Sequence, residues 1–205
     1  MSRPRSRKKR EGGNAILEST LCFIFLVPLL VGSVGIGMSL NRAIQANQVT
    51  RSAGHMYARG LNFAVTGNKQ LLIRMAQGLN LQLTGGDGVV YLTRALKVGE
   101  AQCTAGGVPV SQCTNLGQTV ITGRIAFGNT SLRNSSYGNP AGSFFGANGD
   151  ASANDFLKQS ALLLSNFDST LVLGAGENAY ISETYFSSAG TGFGMGKGAY
   201  NRSIF

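Results

Sequence analysis

Glu18 is the one charged side chain between Asn14 and Leu40, set in "RKKREGGNAILESTLCFIFLVPLL", residues 7 to 30. A carboxylate close to hydrocarbon costs about 2.5–3.5 kcal/mol on insertion scales, so Glu18 calls for a cationic partner or for water. Near the start of an apolar helix it can lie at the membrane interface and snorkel to the aqueous side. Gly13 precedes it by five positions and Pro28 follows it by ten. Pro28 removes one helical backbone donor, which either opens the helix locally or is the ordinary tolerance of a membrane helix for proline.

Cys103 and Cys113 enclose the Gly and Pro loop "CTAGGVPVSQC", and in an oxidising compartment they are expected to form a disulfide. A zinc site is the competitor, but these two Cys and the single His of the chain supply too few soft ligands, so no metal is expected. Cys22, inside the apolar run, is expected to behave as a small hydrophobe. Hydrolytic chemistry would have to use His55, the only histidine. It falls on the polar face of a helix, with Arg51 and Arg59 one turn away on either side, where a solvated side chain is expected and an enzyme is not. "GTGFGMGKG", residues 190 to 198, resembles a phosphate loop but lacks the first Gly, and Gly198 replaces the Ser or Thr after Lys197. No cofactor is expected. Asn129, Asn134 and Asn201 fit the N-x-Ser/Thr pattern and are taken as loop residues. Asp87, Asp150, Asp155 and Asp168 lack the spacing of a calcium loop and look solitary.

The elements that position these residues follow from charge and periodicity. The formal charge of +9 raises a nucleic-acid reading, but six of the 18 basic residues lie among the first ten. Without residues 1–13, 12 basic and 8 acidic side chains remain. A basic cluster beside an apolar segment holds the N-terminus on the cytoplasmic side, and no nucleic-acid partner is expected. Ser19 to Leu40 is an uncharged stretch of 22 residues, about 33 Å as a helix and enough to cross a bilayer core. Gly32, Gly35 and Gly37 offer close-approach points to other helices. Beyond Asn41, Ala43, Ala46, Thr50, Ala53, Tyr57 and Leu61 recur at helical steps, so the helix is expected to continue to about Ala64 as an amphipathic stem. That stripe suits either tight packing between helices or a seat on the protein's own sheet.

Gly67 and Asn68 are expected to make a turn before a second helix that carries Leu71, Leu72, Met75 and Leu79. "VVYLTRALKV", "TVITGRIAF" and "NAYISETYF" read as short antiparallel strands. The Gly, Ser and Asn-rich stretch from Gly128 to Asn154 is expected to be a long loop anchored by Phe144 and Phe145. "DFLKQSALLLSNF" is expected to add a helix packing Phe156, Leu157, Leu162 and Leu163 on the sheet. The fold class is α+β. Its parts are a basic leader (1–13), a transmembrane helix (14–40), a helical stem with a second helix (41–83) and an extracytoplasmic β-rich domain (84–205).

The basic leader, Gly13, Glu18 and an apolar helix with Pro28 resemble the prepilin-type signal of type IV filament subunits. Asn14, where pilins of the type IVa branch and type II secretion pseudopilins have Phe, sets the chain apart from those groups. "GGNAILESTLCFIFLVPLLVG" is similar to the TadE-like pseudopilins of tight-adherence (type IVc) pili, over residues 8 to 60. The resemblance implies cleavage by a prepilin peptidase between Gly13 and Asn14, and assembly through Glu18 and Pro28. The implied partners are other pilin or pseudopilin subunits, the inner-membrane assembly platform and membrane lipid; the implied place is the bacterial inner membrane, and the pilus once assembled. The cut would create an α-amino group at Asn14, one turn from Glu18 in its own chain or opposite Glu18 of a neighbour. In a low-dielectric bundle such a pair attracts far more than in water. The rivals are a signal-anchored envelope protein with a periplasmic binding domain, and an exported protein released near Gly37.

Overall fold

The computed structural model describes residues 12–187 and 198–205, with side chains from Ile16 onward. The leader up to Glu11 and most of the phosphate-loop-like stretch lie outside the described residues. The chain forms two compact units, Met1–Asn41 and Arg42–Phe205.

Helix α1 spans Gly12–Ala58 and contains Pro28. In the first unit its apolar side chains have no cover: Ile16 is 69%, Phe25 70% and Leu29 72% exposed. The helix is long and apolar enough to cross a membrane. Three of its hydroxyls are returned to the backbone, Ser19 and Thr20 donating to the Ile16 carbonyl (3.0 and 2.8 Å) and Ser33 to that of Leu30 (2.8 Å). Polar side chains among apolar ones are thereby satisfied without water.

In the second unit a four-stranded antiparallel sheet runs in the order β2-β1-β3-β4. Its strands are β1 (Gly88–Lys97), β2 (Thr119–Gly128), β3 (Asn178–Phe186) and β4 (Ala199–Ile204). The three runs predicted as strands are β1, β2 and β3; β4 was not anticipated, because "AYNRSIF" mixes polar and apolar residues without a clean alternation.

The end of α1 covers one face of the sheet. Ala46, Val49 and Ala53 pack with Val90, Leu92, Ile125, Phe127 and Phe186, and the Thr50 hydroxyl meets that of Thr184 at 2.6 Å. Of the two fates open to the stem stripe, a seat on the chain's own sheet is the one adopted. Its members shift slightly from expectation: Val49 and Gly54 are buried and Ala43 is exposed. Small residues suit this because the helix lies close, and a Cβ on Gly54 would run into the Phe205 ring.

Helix α1 stops at Ala58 rather than near Ala64. Gly60, at φ +85°, turns the chain with its N–H on the Tyr57 carbonyl (2.9 Å), a conformation that glycine adopts without steric cost. Helix α2 (Thr66–Met75) begins at once, so Gly67 and Asn68 are helical rather than a turn. On it Leu72 is buried while Leu71 and Met75 are 47% and 46% exposed; Ala76 and Leu79 complete the buried set.

Cys103, in α3 (Glu100–Ala105), is disulfide-bonded to Cys113. Both are buried with Leu96, Val98, Val108, Val120 and Leu157 in a second cluster. Helix α4 is shorter than expected, Ala153–Lys158, and is followed by a 3₁₀ turn, Ser160–Leu162. Leu157 and Leu162 are buried as anticipated. The stretch between β2 and α4 has a different anchor from the one expected: Tyr137 is fully buried, while Phe144 and Phe145 are only half-buried.

Strand β2, at one edge, is partly covered. The Arg124 N–H donates to the Gly149 carbonyl (2.7 Å), the Ala151 N–H to Thr122 (2.9 Å) and the Leu164 N–H to Thr119 (2.9 Å). A bulge between Arg94 and Ala95 leaves Thr122 unmatched in the register with β1.

Candidate functional site

The assembly residues named from the sequence all lie on α1. Glu18 is exposed and borders a shallow groove with Ser19, Cys22, Phe23 and Leu26. Gly13 and Asn14 belong to the backbone of α1, and the Asn14 side chain lies outside the described ones. A Cβ added to Gly32, Gly35 or Gly37 would meet nothing within 4 Å, so these positions face outward. The helix therefore presents a carboxylate, a proline and three bare backbone positions on an uncovered apolar surface.

The second unit holds a polar cluster that sequence reasoning missed. Residue parity along the strands puts Thr93 on β1, Arg124 on β2, Glu183 on β3 and Tyr200 on β4 on the sheet face opposite α1. Glu183 is 1% exposed. Its Oε1 accepts from the Ser136 N–H (2.9 Å) and the Tyr200 hydroxyl (2.7 Å), and its Oε2 from the Ser135 hydroxyl. Arg124 donates through Nε to Thr93 (3.1 Å), through Nη1 to the Gly138 carbonyl (2.6 Å) and through Nη2 to Ser135 Oγ (3.2 Å). Ser135 thus bridges the buried carboxylate and the buried guanidinium. A buried charge is sustained only when countered and hydrogen-bonded, and both conditions are met here.

The chemistry of this cluster is that of a clasp. The Ser135 hydroxyl is committed to Glu183 and its oxygen already accepts from Arg124 and the Tyr137 N–H, so it is not free to act as a nucleophile. The Arg133 guanidinium stacks over the Tyr200 ring, 4.0 Å from its centroid, and the Tyr91 hydroxyl donates to the Arg133 carbonyl (2.9 Å). Residues 133–138 are fastened to the sheet by these contacts. Burial lowers the pKa of Arg124 to about 10, with Glu183 acting against the shift. Burial likewise raises Tyr200 to about 12 and raises Tyr91.

His55 is exposed and its ring lies 4.4 Å from that of Phe205. The acidic side chains are less solitary than expected. Asp150 pairs with Arg94 (3.0 Å) and Asp168 with Lys97 (3.7 Å), while Asp155 accepts from the Ser152 hydroxyl at the start of α4 (2.6 Å). Among the described residues no three His, Cys, Asp or Glu side chains converge on a metal position. Glu183 and Arg124 left one trace in the sequence: each is a charge in the middle of a β-rich run, with Glu183 sharing the parity of Ile181 and Tyr185. No family model, curated protein or solved structure matches the chain.

Proposed function

We propose that this chain is a minor pseudopilin of the TadE-like kind, inserted through its basic leader, cut between Gly13 and Asn14, and assembled through α1 into or beneath a type IVc filament that serves surface adhesion. The observation that carries the reading is Gly13, Glu18 and Pro28 on an apolar helix whose large apolar side chains from Ile16 to Leu40 are exposed among the described residues. A helix of this length needs hydrocarbon or other helices around it. In this reading the leader stays cytoplasmic and the second unit is periplasmic, where its disulfide is stable. The partners are a prepilin peptidase, other pilin or pseudopilin subunits, the inner-membrane assembly platform and lipid.

Mass spectrometry of the mature N-terminus, in cells that contain the matching peptidase, tests the proposal. A chain beginning at Asn14 is expected; residues 1–13 still attached would overturn it. A second reading, a signal-anchored envelope protein whose second unit binds a ligand without assembling, is favoured by a cleft of about 610 Å³ beside β2, lined by Lys69, Tyr91, Ala126 and Asn134 among others. It predicts an intact leader and no protein in sheared surface fractions.

A further inference from the structure

Strand β2 is buried or half-buried along its whole length except at Ala126. On one side of this position its outer edge is covered by Gly149 and Ala151; on the other, Gly128 donates to the Leu83 carbonyl (3.1 Å) and accepts from the Gly85 N–H (3.3 Å). The alternation of an antiparallel ladder turns the Ile125 and Phe127 backbone toward β1 and the Arg124 and Ala126 backbone outward. Among the described residues the Ala126 N–H and C=O have no partner, and they open on a cleft of about 610 Å³. That volume falls in the usual range of small-ligand sites, roughly 300–1,000 Å³. Lys69, half-buried, stands at the cleft with Tyr91, Asn134, Asn139 and Phe145. The ion pairs among the described residues are Arg94–Asp150 and Lys97–Asp168, so Lys69 carries its charge to the cleft without a carboxylate.

We propose that this cleft binds a short acidic peptide segment in extended form, which pairs with the Ala126 backbone as an added stretch of strand and sets a carboxylate against Lys69. A free donor and acceptor on one residue of a strand edge match an extended backbone, whose own N–H and C=O alternate at the same pitch. The gap between the two covering segments admits only a few residues. The aromatic and amide side chains around it give walls for the flanking side chains, and Lys69 supplies the preference for acid. The site stands apart from α1, so it holds whether or not the chain assembles into a filament.

The full chain in detergent micelles is titrated with fluorescein-labelled Thr-Glu-Thr-amide and with its Thr-Gln-Thr counterpart, read by anisotropy. Saturable binding is expected, tighter for the acidic peptide. Lys69→Gln is expected to weaken the acidic peptide about fivefold and leave the amide peptide unchanged. Ala126→Pro removes the outward N–H at an edge position that tolerates proline, and it is expected to abolish binding of both while the circular dichroism of the unit is retained. Absence of saturable binding to the unaltered chain overturns the proposal. So does equal affinity for the two peptides, or binding indifferent to both substitutions. If Ala126→Pro unfolds the unit, Ala126→Trp, which fills the cleft with an uncharged side chain and leaves the backbone intact, is expected to abolish binding in its place.

Discussion

Glu183 and Arg124 show how much one buried pair can hold. Each is surrounded by donors or acceptors supplied by residues 133–138, so removing either charge leaves the other buried without its counter-charge. Glu183→Gln is expected to destabilise the second unit by about 3 kcal/mol, read from urea unfolding in detergent. A loss below about 1 kcal/mol would show that the cluster is solvated. The phenols add a pH effect of definite sign. Burial raises both Tyr57 and Tyr200 to about 12, whereas a free tyrosine titrates near 10. Between pH 10 and 12 the folded chain then holds more protons than the unfolded one, and stability falls as pH rises. Arg124 opposes this, since its lowered pKa makes the folded state release its proton first and gain stability over the same window. Tyr91 is raised by burial as well, so the phenols act together against one arginine and the melting temperature is expected to drop above pH 10. Tyr57→Phe should shrink that drop, and an unchanged profile would remove buried phenols as its cause.

At the level of elements, the disulfide and the stem carry separate expectations. The bond spans ten positions, from Cys103 to Cys113, and closing a loop of that size stabilises by about 2–3 kcal/mol on the chain-entropy view. The double Cys→Ser variant should lose about that much, with the β2 edge near Val120 and Leu157 showing the first gain in amide exchange. Thr50→Val, which strips the hydroxyl shared with Thr184, should cost about 1 kcal/mol by urea unfolding. These elements were unequally legible in the sequence. The apolar helix and strands β1 to β3 declare themselves by period, because a buried face repeats at 3.6 or at 2. Strand β4 does not, as one of its faces carries the polar cluster. The end of the stem was misplaced because Gly60 stops the helix while the apolar stripe runs on to Leu61. The clasp escaped because its partners, Ser135, Glu183 and Tyr200, lie up to 65 residues apart and meet only when the sheet has formed.

The whole molecule joins a compact unit whose buried charges, Arg124 and Glu183, are countered and hydrogen-bonded within it to a helix on which Glu18 is exposed and has no ion pair among the described residues. In an isolated subunit this carboxylate can reach interfacial water. In the bundle that the proposed function implies it would have to find a cation, and an α-amino group at Asn14 would exist only after the proposed cleavage. Glu18→Ala removes an insertion cost of about 2.5–3.5 kcal/mol, so membrane levels of the variant should match or exceed those of the parent. If the chain assembles as proposed and the ion pair sets the register of neighbouring helices, filament incorporation should nevertheless fall by about tenfold or more, since tenfold corresponds to only about 1.4 kcal/mol. Co-expression with the unaltered subunit separates the two possible geometries. A pair formed between chains leaves the variant's own amine available to the next subunit's Glu18, so the variant enters mixed filaments. A pair formed within the chain excludes it whatever the proportion of its partner. Equal incorporation of Glu18→Ala expressed alone would mean that the carboxylate serves neither geometry and rests at the interface.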